Sequence, residues 1–261
     1  MSTKLSKDDL KNPDIVTQEL KKGFQWTTQH SKLVTGLSVG FIVVGLGFSL
    51  IQYMNQKNET ELQEKYFQFE KDYLKKKTEF EKYEFSLKNA AQFKSDPKAK
   101  KEEPPKLEGE KATGDLEKDF GTAAKGFESL ISQAPNSAAA QMSALQLADI
   151  YVKYGKIDEA LTTLKKVKAN SSMFGGMVQA QIGSLYAAKK DCPSALTEWG
   201  KVIQNSKAKF IHADIQIKMG LCFESTNDQA KAKEMYNKVI AENKDSQLSK
   251  TAEKYLRLIK Q

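Results

Sequence analysis

Histidines, cysteines, hydroxyls beside a base, and clustered carboxylates could hold a metal or run nucleophilic chemistry, and in this sequence they are scattered. His30 and His212 are the only histidines and lie in different parts of the chain. Neither belongs to a His/Cys/carboxylate group with metal-ligand spacing. Gly175 and Gly176 are not followed by the Gly-Lys-Ser/Thr run of a phosphate-binding loop. No spacing singles out a nucleophile with its base. The residues therefore predict no catalytic side chain, no metal, no cofactor and no enzyme. Cys192 and Cys222 are the sharper case, and their chemistry depends on the elements that carry them.

Composition narrows the partners. The 261 residues carry 41 basic and 33 acidic side chains, a formal charge of +8, with 39% hydrophobic and 28% charged residues. That balance allows one modest core and a well-solvated surface. Every basic residue except Arg257 is lysine. Nucleic-acid readers lean on the planar arginine fork, so the excess reads as a solvated lysine surface and no nucleic-acid partner is expected.

Residues 33–54 contain no charged side chain. At 1.5 Å per residue they would span roughly 33 Å, enough for a hydrocarbon layer. The 32 residues before the run, and Gln52-Tyr53-Met54-Asn55 at its end, do not fit a cleaved signal peptide. The expectation is a retained transmembrane anchor in the lipid bilayer, with residues 1–32 as a short cytoplasmic head. Lys21, Lys22 and Lys32 on one side nearly balance Lys57, Lys65 and Lys71 on the other, so charge barely sets the direction. Gly36 and Gly40 form a GxxxG pair, Trp26 and Tyr53 sit near the ends of the run, and Asp14 to Leu20 could make a short amphipathic helix.

Residues 55–94 read as a helical stalk. Between Leu62 and Ala90 the apolar positions Leu62, Tyr66, Phe69, Tyr73, Phe80, Tyr83, Leu87 and Ala90 step by four and three, with Lys76 in one seam position. Such spacing marks a coiled-coil seam, through which the chain would form a homo-oligomer. A single long helix docked on the following domain is the other reading, and the aromatic seam leaves both open. Residues 95–114 lose periodicity, and Pro104-Pro105 breaks any helix, so a flexible charged linker is expected there.

Residues 115–261 are helical in pattern and self-similar. Leu147-Ala148 with Tyr151, Ala160, Leu164 and Val167 make one unit. Ile182-Gly183 with Tyr186, Ala195, Trp199 and Val202 make the next, and Met219-Gly220 with Phe223, Ala232, Tyr236 and Val239 a third. The small residues Ala148, Gly183 and Gly220 are 35 and 37 positions apart. Ala123, Phe127, Leu130 and Pro135 reproduce the second half of one more unit, and Leu248 to Ile259 reads as a terminal helix. This pattern resembles the tetratricopeptide repeat, with the motif's first aromatic replaced by Ala144, Gln179 and Gln216 and its Pro kept only at Pro135. The expected fold is thus all-α: a single N-terminal transmembrane helix, a long stalk and a C-terminal tetratricopeptide-like α-solenoid. Small residues would let paired helices approach, and the aromatics would fill the angle between hairpins that cannot bury a face alone.

The resemblance places Cys192 at a hairpin turn and Cys222 late in the next repeat's first helix, on the same side of the stack. A disulfide is conceivable there in an oxidising compartment; two separate thiols are the alternative. It also assigns an inner, protein-binding face to Met142, Leu145, Asp149, Val152, Met177, Ser184, Ile217 and Leu221. Methionines and aliphatics suit extended or unfolded apolar segments, and the same residues could equally be core.

The order of head, apolar run, stalk and divergent repeats, carried by residues 41–53, 123–135 and 147–236, resembles the YfgM-type family of inner-membrane tetratricopeptide proteins. That resemblance implies a single-pass bacterial inner-membrane protein whose repeats face the periplasm. Its partners would be the Sec translocon and periplasmic chaperones, in a chaperone-like role on exported proteins. Two alternatives stay open: a cell-envelope scaffold oligomerising through the stalk, and a cytosol-facing membrane receptor or adaptor.

Overall fold

A computed structural model describes residues 20–22, 24–25, 28–95, 105–169 and 171–259, with the side chains of 31 and 33–43 left aside. The features expected at 14–19, at Trp26 and at 96–104 lie outside the described residues, as do the side chains of 36–40. The chain divides into two units, Met1–Asn58 and Glu59–Gln261.

The transmembrane anchor expected over 33–54 is corrected here. Among the described residues no helix is long and apolar enough to cross a membrane. The run belongs to helix α1, Ser31–Ser95, which continues unbroken into the charged stalk sequence. Its part with described side chains, 44–54, covers about 16 Å at 1.5 Å per residue, roughly half a hydrocarbon layer. The single-pass inner-membrane localisation rested on that anchor and falls with it. The all-α solenoid part of the expected fold stands.

In the second unit, α2 (Leu116–Gln133), α3 (Ala138–Lys153), α4 (Ile157–Lys166), α5 (Met173–Ala188), α6 (Cys192–Gln204), a 3-10 helix η1 (Ser206–Ile211), α7 (His212–Ser225), α8 (Gln229–Glu242) and α9 (Gln247–Ile259) follow in order. Local chemistry sets the starts. Asp115, Ser137, Ser172, Asp191 and Asp228 each accept a backbone N–H of the following first turn. The turns between paired helices repeat as well. Gly155, Lys190 and Asn227 all take positive φ, at 73°, 63° and 62°. In each case the next residue's N–H returns to a carbonyl five positions back: Lys156 to Tyr151, Asp191 to Tyr186, Asp228 to Phe223, at 2.8–2.9 Å. The period first visible in the small residues is therefore also a period of backbone conformation.

Within each hairpin the helices meet where the sequence is small. A Cβ on Gly183 would lie 2.5 Å from Trp199 Cδ1 and Nε1, and one on Gly220 would overlap the Tyr236 ring. Ala148, Ala160, Ala195 and Ala232 are all fully buried. The last hairpin is closed by α9, whose Ala252 is buried and whose Tyr255 stacks on Tyr236 at 5.6 Å.

The isolated half-repeat at α2 is completed by α1. Leu62, Tyr66, Tyr73 and Phe80 are buried, and Phe69 is half-buried, in one core with Phe120 and Phe127 of α2. Phe69 sits where a Cβ on Gly126 would be, and the Tyr73 and Phe120 rings are 5.1 Å apart. The aromatic seam is thus consumed inside the chain. This corrects the coiled-coil reading over its buried part, from Leu62 to Phe80, because a side chain packed on α2 cannot also face a second copy. The described end of the linker segment, 105–114, runs back along α1. Glu108 N donates to Ser86 Oγ at 3.0 Å, Glu110 N donates to Glu79 O at 3.2 Å, and Lys76 pairs with Glu110 at 2.7 Å. Gly109 has φ 85° and a backbone so close to Glu79 that no side chain fits.

Candidate protein-interaction surface

The inner-face residues separate by burial. Val152 and Leu221 are exposed, at 40% and 39%, and stand as apolar side chains open to a partner. Met142 and Leu145 are half-buried against the core that contains the α1 aromatics. Met177 and Ser184 are half-buried on α5, and Ser184 Oγ donates to Ala180 O at 3.0 Å. Ile217 is only 6% exposed and packs with Tyr236 and Ala252, so it is core and lines no surface. Asp149 bridges hairpins, accepting from Gln181 Nε2 at 2.5 Å. Partial burial pushes its carboxyl upward from the ordinary value, against the Gln181 hydrogen bond and the Lys77 charge.

Ser184 and Leu221 come together at one place. With Ala187, Cys192, Trp199, Lys218, Cys222 and Ser225 they wall a mainly apolar cleft of about 320 Å³ between α5, α6 and α7. Cys192 and Cys222 form its sulfur edge: the two Sγ atoms are bonded at 2.02 Å, with Cα atoms 5.5 Å apart, and the chain has no free cysteine. Ser225 Oγ lies 3.3 Å from Cys192 Sγ. Trp199 is nearly fully buried, and its Nε1 donates to Ala180 O at 3.1 Å, which locks the indole as a rigid wall. The only charge at the cleft is the Lys218 ammonium, paired with Asp214 at 2.8 Å. Such a site can bury apolar atoms.

Elsewhere, Asp119 and three tyrosines are held in hydrogen bonds between helices and turns. Asp119 is buried and accepts from Thr113 N at 2.9 Å, Thr113 Oγ1 at 2.8 Å, Gly114 N at 3.1 Å and Tyr154 Oη at 2.7 Å. Burial opposes its ionisation, yet these donors together hold its carboxyl below the ordinary value. Burial pushes the Tyr151 hydroxyl up to about 12, helped by its hydrogen bond to Glu128. Burial also raises Tyr154 and Tyr236, each bonded to a carboxylate, Asp119 and Glu224. Among the described residues no group of three or more His, Cys, Asp or Glu is placed to hold a metal ion. Sequence reasoning missed Ala187, Lys218 and Ser225 at the cleft. The signal available for them was their position one turn along from Gly183 and Leu221.

Comparison with known proteins bears on the fold. The tetratricopeptide repeat-like domain family matches residues 24–221, and the tetratricopeptide repeat matches 214–246. Among solved structures the chain is similar to MamA, at 21% identity over 57% of this chain and 94% of that one, with a TM-score of 0.41. It is similar to a tetratricopeptide repeat protein from Parabacteroides merdae ATCC 43184, at 15% identity over 69% and 60% of the two chains, TM-score 0.45. It is also similar to the nearly identical TPR-like repeats of a kinesin light chain from Podosopora anserina, at 16% identity over 53% and 76%, TM-score 0.44. No curated protein matches the chain.

Proposed function

The chain belongs to the tetratricopeptide repeat-like domain family, and from that premise we propose that it is a protein-interaction module holding an extended apolar segment of another protein. The observation that carries this reading is the cleft between α5, α6 and α7, where Leu221 stands exposed beside the rigid Trp199 wall. A cleft of about 320 Å³ fits one or two apolar side chains of a peptide, not a large cofactor. Val152 on α3 offers a second apolar contact for a longer segment. Repeat proteins of this family generally act as non-catalytic scaffolds.

The finer identity of the partner follows from the YfgM-type resemblance. It makes the ligand a newly exported chain, with the Sec translocon and periplasmic chaperones as companions. The Cys192–Cys222 bond supports an oxidising setting, where disulfides persist.

Leu221→Asp tests the cleft. The charge would face apolar walls at an exposed position, so folding should be kept while binding of a fluorescein-labelled Leu/Val-rich peptide weakens about tenfold or more. Unchanged affinity in Leu221→Asp would refute the cleft as the binding site. Crosslinking in the native host followed by mass spectrometry tests the partner, and recovery of no exported chain or translocon subunit would remove the finer reading.

A further inference from the structure

The two junctions between complete hairpins differ. At the first, α3 packs directly on α5, and Asp149 accepts a hydrogen bond from Gln181 across it. At the second, the backbones of α5 and α7 hardly approach each other. The reason lies in the chain between them. Gly220 follows Gly183 by 37 positions, where Gly183 follows Ala148 by 35, and this longer junction holds η1. The Ala208 Cβ of η1 lies 2.5 Å from where a Cβ on Gly176 would be, so η1 is wedged against the start of α5. Two helices held apart at their starts leave a gap further along. That gap is the apolar cleft, walled by Ser184 and Ala187 near the end of α5 and by Lys218, Leu221 and Ser225 toward the end of α7.

The ties across this junction differ from end to end as well. At the wedge, Asn205 Nδ2 donates to Ser172 O at 2.8 Å, and His212 Nε2 lies 3.1 Å from Asn205 O. Between the ends, Ile215 and Met219 of α7 share a core with Trp199 and Val202 of α6. At the cleft the tie is covalent: the Cys192–Cys222 bond runs from the first residue of α6 to the last turn of α7, and both residues wall the cleft.

We propose that this bond is a redox latch on the cleft. The oxidised chain holds the cleft at the width that binds an apolar segment. In the dithiol chain α7 swings from the α5–α6 hairpin about η1, and the segment is released. This rests on the cleft being the binding site and adds its regulation. The step is exchange with a dithiol reductant. One thiolate of the reductant attacks one Sγ, the Cys192–Cys222 bond breaks, and a mixed disulfide and one cysteine thiolate result. The second thiol of the reductant then displaces the chain. Two electrons pass to the chain, both cysteines end protonated, and the reductant leaves as its own disulfide. Cys192 and Cys222 are 7% and 4% exposed, so exchange proceeds as the junction opens, and the equilibrium, not the rate, reports the latch. By linkage, the factor by which the bond raises peptide affinity is the factor by which bound peptide favours the bond.

The test uses the full chain, oxidised or reduced with dithiothreitol, and the fluorescein-labelled Leu/Val-rich peptide. Reduced protein, and Cys192→Ser with Cys222→Ser, should keep their helix content by far-UV circular dichroism and bind the peptide about tenfold more weakly. In glutathione buffers, saturating peptide should lower the reduction potential of the bond in the wild type by about 30 mV, which is that tenfold factor for two electrons. Asp119→Ala, which loses hydrogen bonds at the start of the array and touches no wall of the cleft, should bind as the wild type does. Equal affinity in the oxidised, reduced and double-serine chains overturns the latch and leaves the cleft as a binding site. Weakening in Asp119→Ala as large as in the double-serine chain overturns it too, because general stability would then be read. So does loss of helix content together with the bond, which would mean that the bond holds the whole array. No binding by the oxidised chain removes both the cleft and its latch.

Discussion

Gly183→Ala should destabilise the protein although alanine is the better helix former. In an open helix the change gains about 1 kcal/mol through propensity. At Gly183 the new methyl would sit 2.5 Å from two atoms of the Trp199 indole. That ring cannot swing away freely, being 2% exposed and tied by Nε1 to Ala180 O. Overpacking of this kind costs about 1–3 kcal/mol, and the lost tryptophan hydrogen bond adds about 1 more. The net expectation is a loss of about 1–3 kcal/mol. Gly200→Ala is the internal control: it lies in α6 with nothing within 4 Å of the added Cβ, and should gain most of the propensity term. Urea melts followed by far-UV circular dichroism, with Trp199 fluorescence beside them, measure both. Gly183→Ala should lower the midpoint and Gly200→Ala raise it, with unchanged slopes. If both variants gain stability equally, the close approach of the paired helices is wrong, and with it the packing rationale of the repeats.

Other expectations follow from the same geometry. The Cys192–Cys222 bond closes a sequence separation of 30, which in the chain-entropy account contributes about 3.6 kcal/mol; Cys192→Ser with Cys222→Ser should lower the urea midpoint accordingly, and two reactive thiols in freshly isolated protein would show that the bond is absent. Asp119→Ala should cost about 2–4 kcal/mol by stranding the donors of Thr113, Gly114 and Tyr154. Because its folded value is depressed, Asp119 contributes stability above the ordinary carboxylate value and loses it as pH falls through that range; an acid melt as steep in Asp119→Asn as in the wild type would contradict this. Asp149 has the opposite sign. Its raised folded value favours the protonated form, so its contribution falls as pH rises through the ordinary carboxylate range, and Asp149→Asn should be at least as stable as wild type at neutral pH by thermal melt.

The repeats were legible because their determinants are local. Ala148, Gly183 and Gly220 recur at the helical-hairpin period, and Trp199 and Tyr236 sit at a fixed offset from them. What ran along one helix without a partner was ambiguous. The seam from Leu62 to Phe80 fits either a second copy or this chain's own α2, since heptad spacing records that a stripe is buried and not what buries it. Only the packing of Tyr66, Tyr73 and Phe80 against Phe120 and Phe127 decided that α1 is the missing first helix of the half-repeat. In the same way, Ile217 and Leu221 are one helical turn apart and equally apolar, yet one is core beside Tyr236 and the other stands exposed. Spacing sets the angle of a side chain about its helix axis. Whether that angle points at a neighbour or at water depends on where the next hairpin lies, and that is a property of the stack.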